Sequence, residues 1–167
     1  MPNAGEFPTE KKERCRLPYI IGPLITIGLF LLLVDKRRIR EFYPTYLFMI
    51  VLGHIGDFVL VYQWKLYDYT DPLMPRHLIM LLIAVGGYGP LAVLYIQFVQ
   101  KYNVWVFTGV SAGVMTLIEW VFFVRTGELT YYRWHLRVSF VSYVGLAVFT
   151  YGQYRWYTPP AQYRPTP

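Results

Sequence analysis

YPTYLFMIVLGHIGDFVLVY, residues Tyr43 to Tyr62, is an apolar run of the length that a membrane-crossing helix requires. Such a helix needs roughly 20 predominantly apolar residues. The run nevertheless contains His54 and Asp57, which are three positions apart and therefore share one face of a helix. Ionisable groups inside a membrane are costly unless they are paired or reach water. The sequence must therefore supply partners for both side chains.

Four further apolar runs flank this one. The five predicted spans cover residues 17–34, 43–62, 78–98, 104–124 and 138–154. Only 16% of the chain is charged, against about 25% in soluble domains. We therefore predict an all-α protein, an integral membrane bundle of five transmembrane helices within residues 17–156. A polar tail, residues 1–16, would precede it, and a Pro-rich tail, residues 157–167, would follow.

The charge pattern and the motifs limit the classes of partner and cofactor that are expected for this chain. The chain has a net charge of +6, but its basic residues lie between the apolar runs and form no long stripe. This pattern favours lipid headgroups over nucleic acid as binding partners. The single cysteine, Cys15, excludes an intramolecular disulfide. No metal-binding spacing and no nucleotide fingerprint is present, so we predict no cofactor and no metal. The predicted partners are membrane lipids, with a second copy or another membrane protein as further possibilities.

Two acidic residues are predicted to lie at the same depth. Asp57 and Glu119 each stand five residues before the end of the second and fourth predicted helix. These two helices run in the same direction because successive spans alternate. At 1.5 Å per residue, both acids lie about 7–8 Å inside one membrane surface. We expect both to face inward.

The loops on that side add further polar groups. The candidate cluster is His54, Asp57, Arg76, His77, Glu119, Arg125, Arg133, Trp134 and His135. We expect the two acids to pair with His54 or with an arginine of the cluster. Three interpretations stay open: a lock between helices, a functional pocket, or a metal site. Trp134 fits either an interfacial aromatic belt or a lid over the polar groups.

Glycine patterns predict close helix packing in two places. VGGYGP, Val85 to Pro90, would permit a close approach or a kink in the third helix. GVSAG, Gly109 to Gly113, has the small-xxx-small spacing of closely packed helices, and we expect it to pack within the chain.

Four segments carry a resemblance to a family. They are GDFVLVYQW (56–64), YDYTDPLMPRHL (67–78), YGPLAVLYIQF (88–98) and LIEWVFFVRTGELTYYRWHLRVSF (117–140). In this order and spacing, residues 37–156 resemble an uncharacterised family of small five-helix membrane proteins of spore-forming Gram-positive bacteria. The resemblance implies the bacterial plasma membrane, or a spore membrane derived from it. It supplies no reaction, and the acid that many members carry in the middle of their third helix is replaced here by Val85-Gly86-Gly87.

Three functional hypotheses follow. The first is a non-enzymatic interaction or accessory component of the bacterial envelope. The second is a small proton-linked transporter in which His54, Asp57 and Glu119 relay the proton. The third is a membrane-embedded enzyme that uses His54 or His135 with one of the acids on a lipid substrate.

Basic residues are nearly balanced between the two sets of loops; the dense cluster in residues 35–42 favours placing that loop in the cytoplasm.

Overall fold

The computed structural model describes residues 18–69 and 74–158, and it is 81% helical. Within these ranges five helices follow one another: α1 (Pro18–Leu33), α2 (Lys36–Gln63), α3 (Arg76–Val99), α4 (Val104–Val124) and α5 (Leu136–Tyr157). Two short strands, β1 (Tyr67–Tyr69) and β2 (Leu129–Tyr131), pair antiparallel. The predicted all-α class is confirmed. The predicted tails lie outside the described residues, apart from Tyr157 and Thr158.

Three of the described helices are long and apolar enough to cross a membrane, by length and composition. They are α2, α3 and α4. The first helix is apolar but shorter, and the fifth is long enough but less apolar. The prediction of apolar, membrane-type helices is thus confirmed for three of the five.

Side-chain caps define where two of the helices begin. Asp35 precedes the 3-10 turn that opens α2, and its Oδ1 accepts a hydrogen bond from the Arg37 backbone N–H at 3.0 Å. Asn103 precedes α4, and its Oδ1 accepts from the backbone N–H groups of Trp105 and Val106 at 3.0 and 3.3 Å. Asp and Asn are favoured at such positions because the first N–H groups of a helix lack helical partners.

Polar contacts join the helices at the end opposite the strands. Gln97 of α3 donates from Nε2 to the Leu33 carbonyl and accepts from the Asp35 N–H, both at 2.8 Å, so it fixes the α1–α2 turn. Arg38 and Glu41 form an ion pair at 2.6 Å at the start of α2. The ion pair therefore stabilises the first turn of α2, and the Gln97 hydrogen bonds hold the α1–α2 turn against α3.

The third helix approaches its neighbours through glycines, as the sequence predicts. A Cβ at Gly86 would overlap Pro23 of α1, and one at Gly89 would overlap the ring of Tyr46 on α2. The close approach of α1 lets the Thr26 hydroxyl donate to the Gly86 carbonyl at 2.5 Å. Gly86 therefore brings α3 against α1, and Gly89 brings it against α2.

The glycines of α4 do not act in this way, and the prediction that they pack within the chain is wrong. A Cβ at Gly109 or Gly113 would meet nothing within 4 Å. The fourth helix instead buries Thr108, Ala112 and Glu119, which are spaced by helical turns on one face. The two glycines follow the first two of these residues by one position, which places them beside the packed face.

Apolar side chains fill both ends of the bundle. The cluster at the strand end consists of Tyr19, Val61, Tyr67, Tyr69, Ile79, Met80 and Leu129. The cluster at the opposite end consists of Val34, Phe42, Val93, Ile96, Val99 and Tyr154. The space between the helices next to the strand end is a cavity.

Candidate functional site

A two-stranded sheet connects the two acidic residues. Strand β1 lies between α2 and α3, strand β2 lies between α4 and α5, and Tyr67 is directly opposite Tyr131 in the register. Opposed residues of an antiparallel pair project on the same side of a sheet. Tyr67 donates to Asp57 of α2, and Tyr131 donates to Glu119 of α4. One sheet thus holds carboxylates from two separate helices.

Asp57 is buried and accepts hydrogen bonds from three tyrosine hydroxyls. The Tyr67 hydroxyl lies 2.6 Å from Oδ1, and the Tyr69 hydroxyl lies 3.1 Å from Oδ2. The hydroxyl of Tyr88, on α3, lies 3.3 and 3.4 Å from the two oxygens. A buried charge must be hydrogen-bonded to be tolerated, and the three hydroxyls meet that requirement from two different elements.

Glu119 is also buried and is held by a second set of hydroxyls. The Ser139 hydroxyl donates to Oε1 at 2.9 Å, and Tyr131 donates to the same oxygen. Tyr143 of α5 donates to Oε2 at 2.7 Å. The indole N–H of Trp134 donates to the Ser139 oxygen at 2.7 Å. Trp134 therefore helps to orient the Ser139 hydroxyl toward Glu119 without contacting the carboxylate itself.

Three stretches of π-helix lie beside these groups. They are Val59–Gln63, Ala84–Tyr88 and Glu119–Val124. The first begins two residues after Asp57, the second ends at Tyr88, and the third begins at Glu119. A π-helical turn widens the backbone by one residue and is frequent at functional sites. Three of the four helices that contribute to the carboxylate contacts, α2, α3 and α4, are therefore locally irregular beside that contact, whereas α5 is regular.

The tyrosines of the sheet remain protonated, and therefore remain hydrogen-bond donors, over a wide pH range. Burial raises the pKa of Tyr67 and Tyr69 well above that of a free tyrosine, and the nearby Asp57 charge raises both further. The pKa of Tyr131 is also raised, first by burial and then by its hydrogen bond to Glu119. These phenols therefore stay protonated at neutral pH and keep donating to the two carboxylates.

A cavity of about 480 Å³ lies between the helices, and both acids line it. All five helices and both strands contribute to its wall. Most of the lining is apolar, for example Ile25, Leu91 and Met115. Asp57 and Glu119 line the cavity together with most of their hydroxyl partners, and Thr26 and Ser142 add further hydroxyl groups to the lining.

The structure brings together only part of the candidate cluster. Asp57, Glu119 and Trp134 line the cavity, and Trp134 is half-buried there rather than only lying in a surface belt. His54 is partly buried outside the cavity lining, and its Nδ1 has no hydrogen-bond partner within residues 18–69 and 74–158. The exposed members are Arg76, His77, Arg125, Arg133 and His135.

The expected pairing of the acids with arginine or histidine is wrong. Within the described ranges neither carboxylate has an ion pair; Arg76 pairs with Asp68 at 2.8 Å, and the Arg125 guanidinium lies 5.3 Å from the centre of the Trp120 ring. Moving an arginine out of water to reach a buried acid costs several kcal/mol. Tyrosine hydroxyls satisfy the same oxygens at a smaller desolvation cost, because they are neutral.

Sequence reasoning missed most of the hydroxyls. They are those of Tyr67, Tyr69, Tyr88, Tyr131, Ser139 and Tyr143. A signal was present in YDY, residues 67–69, because alternate tyrosines of a strand project on one face.

Comparisons with protein-family models, with curated proteins and with solved structures find no match for this chain. Among the residues that the structure describes, no three side chains of the types His, Cys, Asp and Glu come together as metal ligands would. The function is therefore argued from the cavity and its two carboxylates.

Proposed function

We propose that this chain is a multi-pass membrane protein of the bacterial envelope that binds a small, largely apolar molecule between its helices. In this proposal all five helices cross the membrane, and the protein is a binding or accessory component rather than an enzyme. The observation that carries it is the cavity, because all five helices contribute to its wall and two acidic residues line it.

The exposed surface of the helices supports a membrane location. Only 11% of the apolar window of α4 is buried, and Trp105, Val110 and Leu117 are 72%, 59% and 57% exposed. A soluble protein rarely exposes apolar side chains along a whole helix. Acyl chains would cover this surface without cost, which is why we propose that the helices lie in lipid.

The size and chemistry of the cavity support a binding role. Sites for small molecules commonly have volumes of about 300–1,000 Å³, apolar walls and a few fixed polar groups. The cavity of about 480 Å³ falls in that range. Each oxygen of Asp57 and Glu119 already accepts at least one hydroxyl hydrogen. The carboxylates are thereby held in place, an arrangement that suits recognition of a ligand better than rapid proton transfer.

Filling the cavity should weaken binding of an apolar probe. Gly56 lines the cavity, and a Cβ there meets nothing within 4 Å, so a Gly56→Leu side chain can enter the space without displacing the backbone. We expect about tenfold weaker binding of the neutral fluorophore N-phenyl-1-naphthylamine, or about 1.4 kcal/mol. Fluorescence titration of the purified full chain, with empty micelles subtracted, measures this affinity.

Gly145→Leu is the matched control, because Gly145 lies on α5 outside the cavity lining and a Cβ there also meets nothing within 4 Å. It should bind the fluorophore as the unmodified protein does. Equal affinity in the Gly56→Leu and Gly145→Leu variants, or no binding above empty micelles, would reject the proposed function.

A further inference from the structure

We propose that the molecule held in the cavity is an organic cation with an apolar body, such as an alkylated ammonium or phosphonium. This inference rests on the proposed function and names the class of ligand that the cavity takes. Two separate features of the wall lead to it: an uncompensated pair of carboxylates, and a set of aromatic rings beside them.

The first feature is the balance of charge around the cavity. Asp57 and Glu119 both line it, and within the described residues neither forms an ion pair. Among the residues that the structure describes, no Arg, Lys or His lines the cavity. Unit charges a few ångströms apart interact by several kcal/mol where the effective dielectric constant is low. The wall therefore repels an anionic headgroup and attracts a positive one.

The second feature is the concentration of aromatic side chains at the same part of the wall. The lining includes Tyr67, Tyr69, Tyr88, Phe123, Trp134 and Tyr143. Tyr67 packs edge-on against Tyr69 and Trp134, with ring centroids 5.7 and 5.5 Å apart. Aromatic faces attract cations, and rings grouped with a carboxylate are the usual means of binding quaternary ammonium groups.

The apolar remainder of the wall specifies the rest of the ligand. Side chains of α1 and α4, including Ile25, Leu29 and Phe122, line the cavity and are also exposed on the surface. At the strand end these two helices touch, where the rings of Tyr19 and Phe123 lie 5.8 Å apart. An apolar body can therefore extend from the carboxylates along α1 and α4 and leave its positive group at the polar wall.

The test compares two ions of nearly the same size and shape and opposite charge. Tetraphenylphosphonium and tetraphenylborate are titrated by equilibrium dialysis against the purified full chain in dodecyl maltoside micelles. We expect tetraphenylphosphonium to bind at least about tenfold more tightly than tetraphenylborate. Asp57→Asn and Glu119→Gln should each weaken tetraphenylphosphonium binding by about tenfold, whereas binding of the uncharged N-phenyl-1-naphthylamine should weaken less. Asp68→Asn, a carboxylate outside the cavity lining, should change neither.

The outcomes separate this inference from the proposed function. If the neutral fluorophore binds but tetraphenylborate binds as well as tetraphenylphosphonium, the cation inference is wrong and the binding function stands. Failure of every probe to bind would overturn both. Binding of the neutral fluorophore above that of empty micelles shows that the cavity is still folded in the Asp57→Asn and Glu119→Gln variants.

A lipid headgroup and a free organic cation share the ammonium chemistry, and a competition arm distinguishes them. Displacement of tetraphenylphosphonium by phosphatidylethanolamine, but not by phosphatidylglycerol, would assign the cation to a lipid. Displacement by tetramethylammonium, without an effect of either lipid, would assign it to a free cation. Displacement by phosphatidylglycerol alone would contradict the inference, because that headgroup is anionic.

Discussion

An Asp57→Leu variant is expected to lose about 3 kcal/mol of unfolding free energy, because three tyrosine hydroxyls lose their acceptor together. Tyr67, Tyr69 and Tyr88 all donate to Asp57, and Asp57 is only 3% exposed, so water cannot readily replace it. A buried polar group left without a partner costs about 1–3 kcal/mol, and part of that cost is recovered where hydroxyls re-pair.

Titration with sodium dodecyl sulfate in mixed micelles, followed by circular dichroism, measures this loss. Asp57→Asn keeps one carbonyl acceptor and should lose less than Asp57→Leu. The control is Asp68→Asn in β1, which weakens an ion pair to the half-exposed Arg76 and should cost under about 1 kcal/mol. Equal stability of the Asp57→Leu and Asp68→Asn variants would show that the hydroxyls are not held by Asp57.

A Gly53→Ala substitution is expected to cost about 2 kcal/mol, although it adds a single methyl group. The added Cβ would overlap the ring of Tyr88 on α3, where α2 and α3 cross. The ring can only move away from α2, which withdraws its hydroxyl from Asp57. The substitution therefore acts on packing and on a carboxylate contact at once.

Gly109→Ala on α4 is the matched control. A Cβ there meets nothing within 4 Å, so the change should be neutral or stabilising by up to about 1 kcal/mol, the helix preference for Ala over Gly. The same detergent titration compares the two variants. If Gly53→Ala proved as stable as Gly109→Ala, α2 and α3 could not approach as closely as described.

The helices could be predicted from the sequence because each coincides with an uninterrupted apolar run between polar segments. The predicted run 104–124 coincides with α4, and the others differ from their helices by a few residues at each end, by seven at the start of α2. The length and polarity of a run are local properties, so they can be read from the sequence without knowledge of the fold. The buried position of Asp57 and Glu119 could also be predicted, because an ionisable group on an apolar helix is costly unless it turns toward polar partners.

The partners of the acids could not be predicted in this way. Tyr67 and Tyr131 come together through the pairing of two loops that are far apart in sequence, and the short strands have no distinctive hydrophobic pattern. Charge complementarity favoured arginine and histidine, but desolvation of a cation outweighs that attraction inside an apolar bundle. The contacts between the acids and the neutral hydroxyls of the sheet form only when distant segments pack together, and so do the π-helical turns beside them. Neither can be predicted from local sequence.

The central claim is that Asp57 and Glu119 face one shared apolar cavity, and modification with dicyclohexylcarbodiimide tests it most directly. This apolar reagent adds to carboxyl groups that can be reached from an apolar phase, and peptide mass spectrometry locates the adduct. We predict that chains with one adduct, on Asp57 or on Glu119, predominate over chains with both, because the first bulky adduct occupies much of the shared space of about 480 Å³. Gly56→Leu should slow the reaction at both sites. Chains that carry adducts on both residues as often as two independent reactions would give, or equal rates in the Gly56→Leu variant, would contradict a shared cavity.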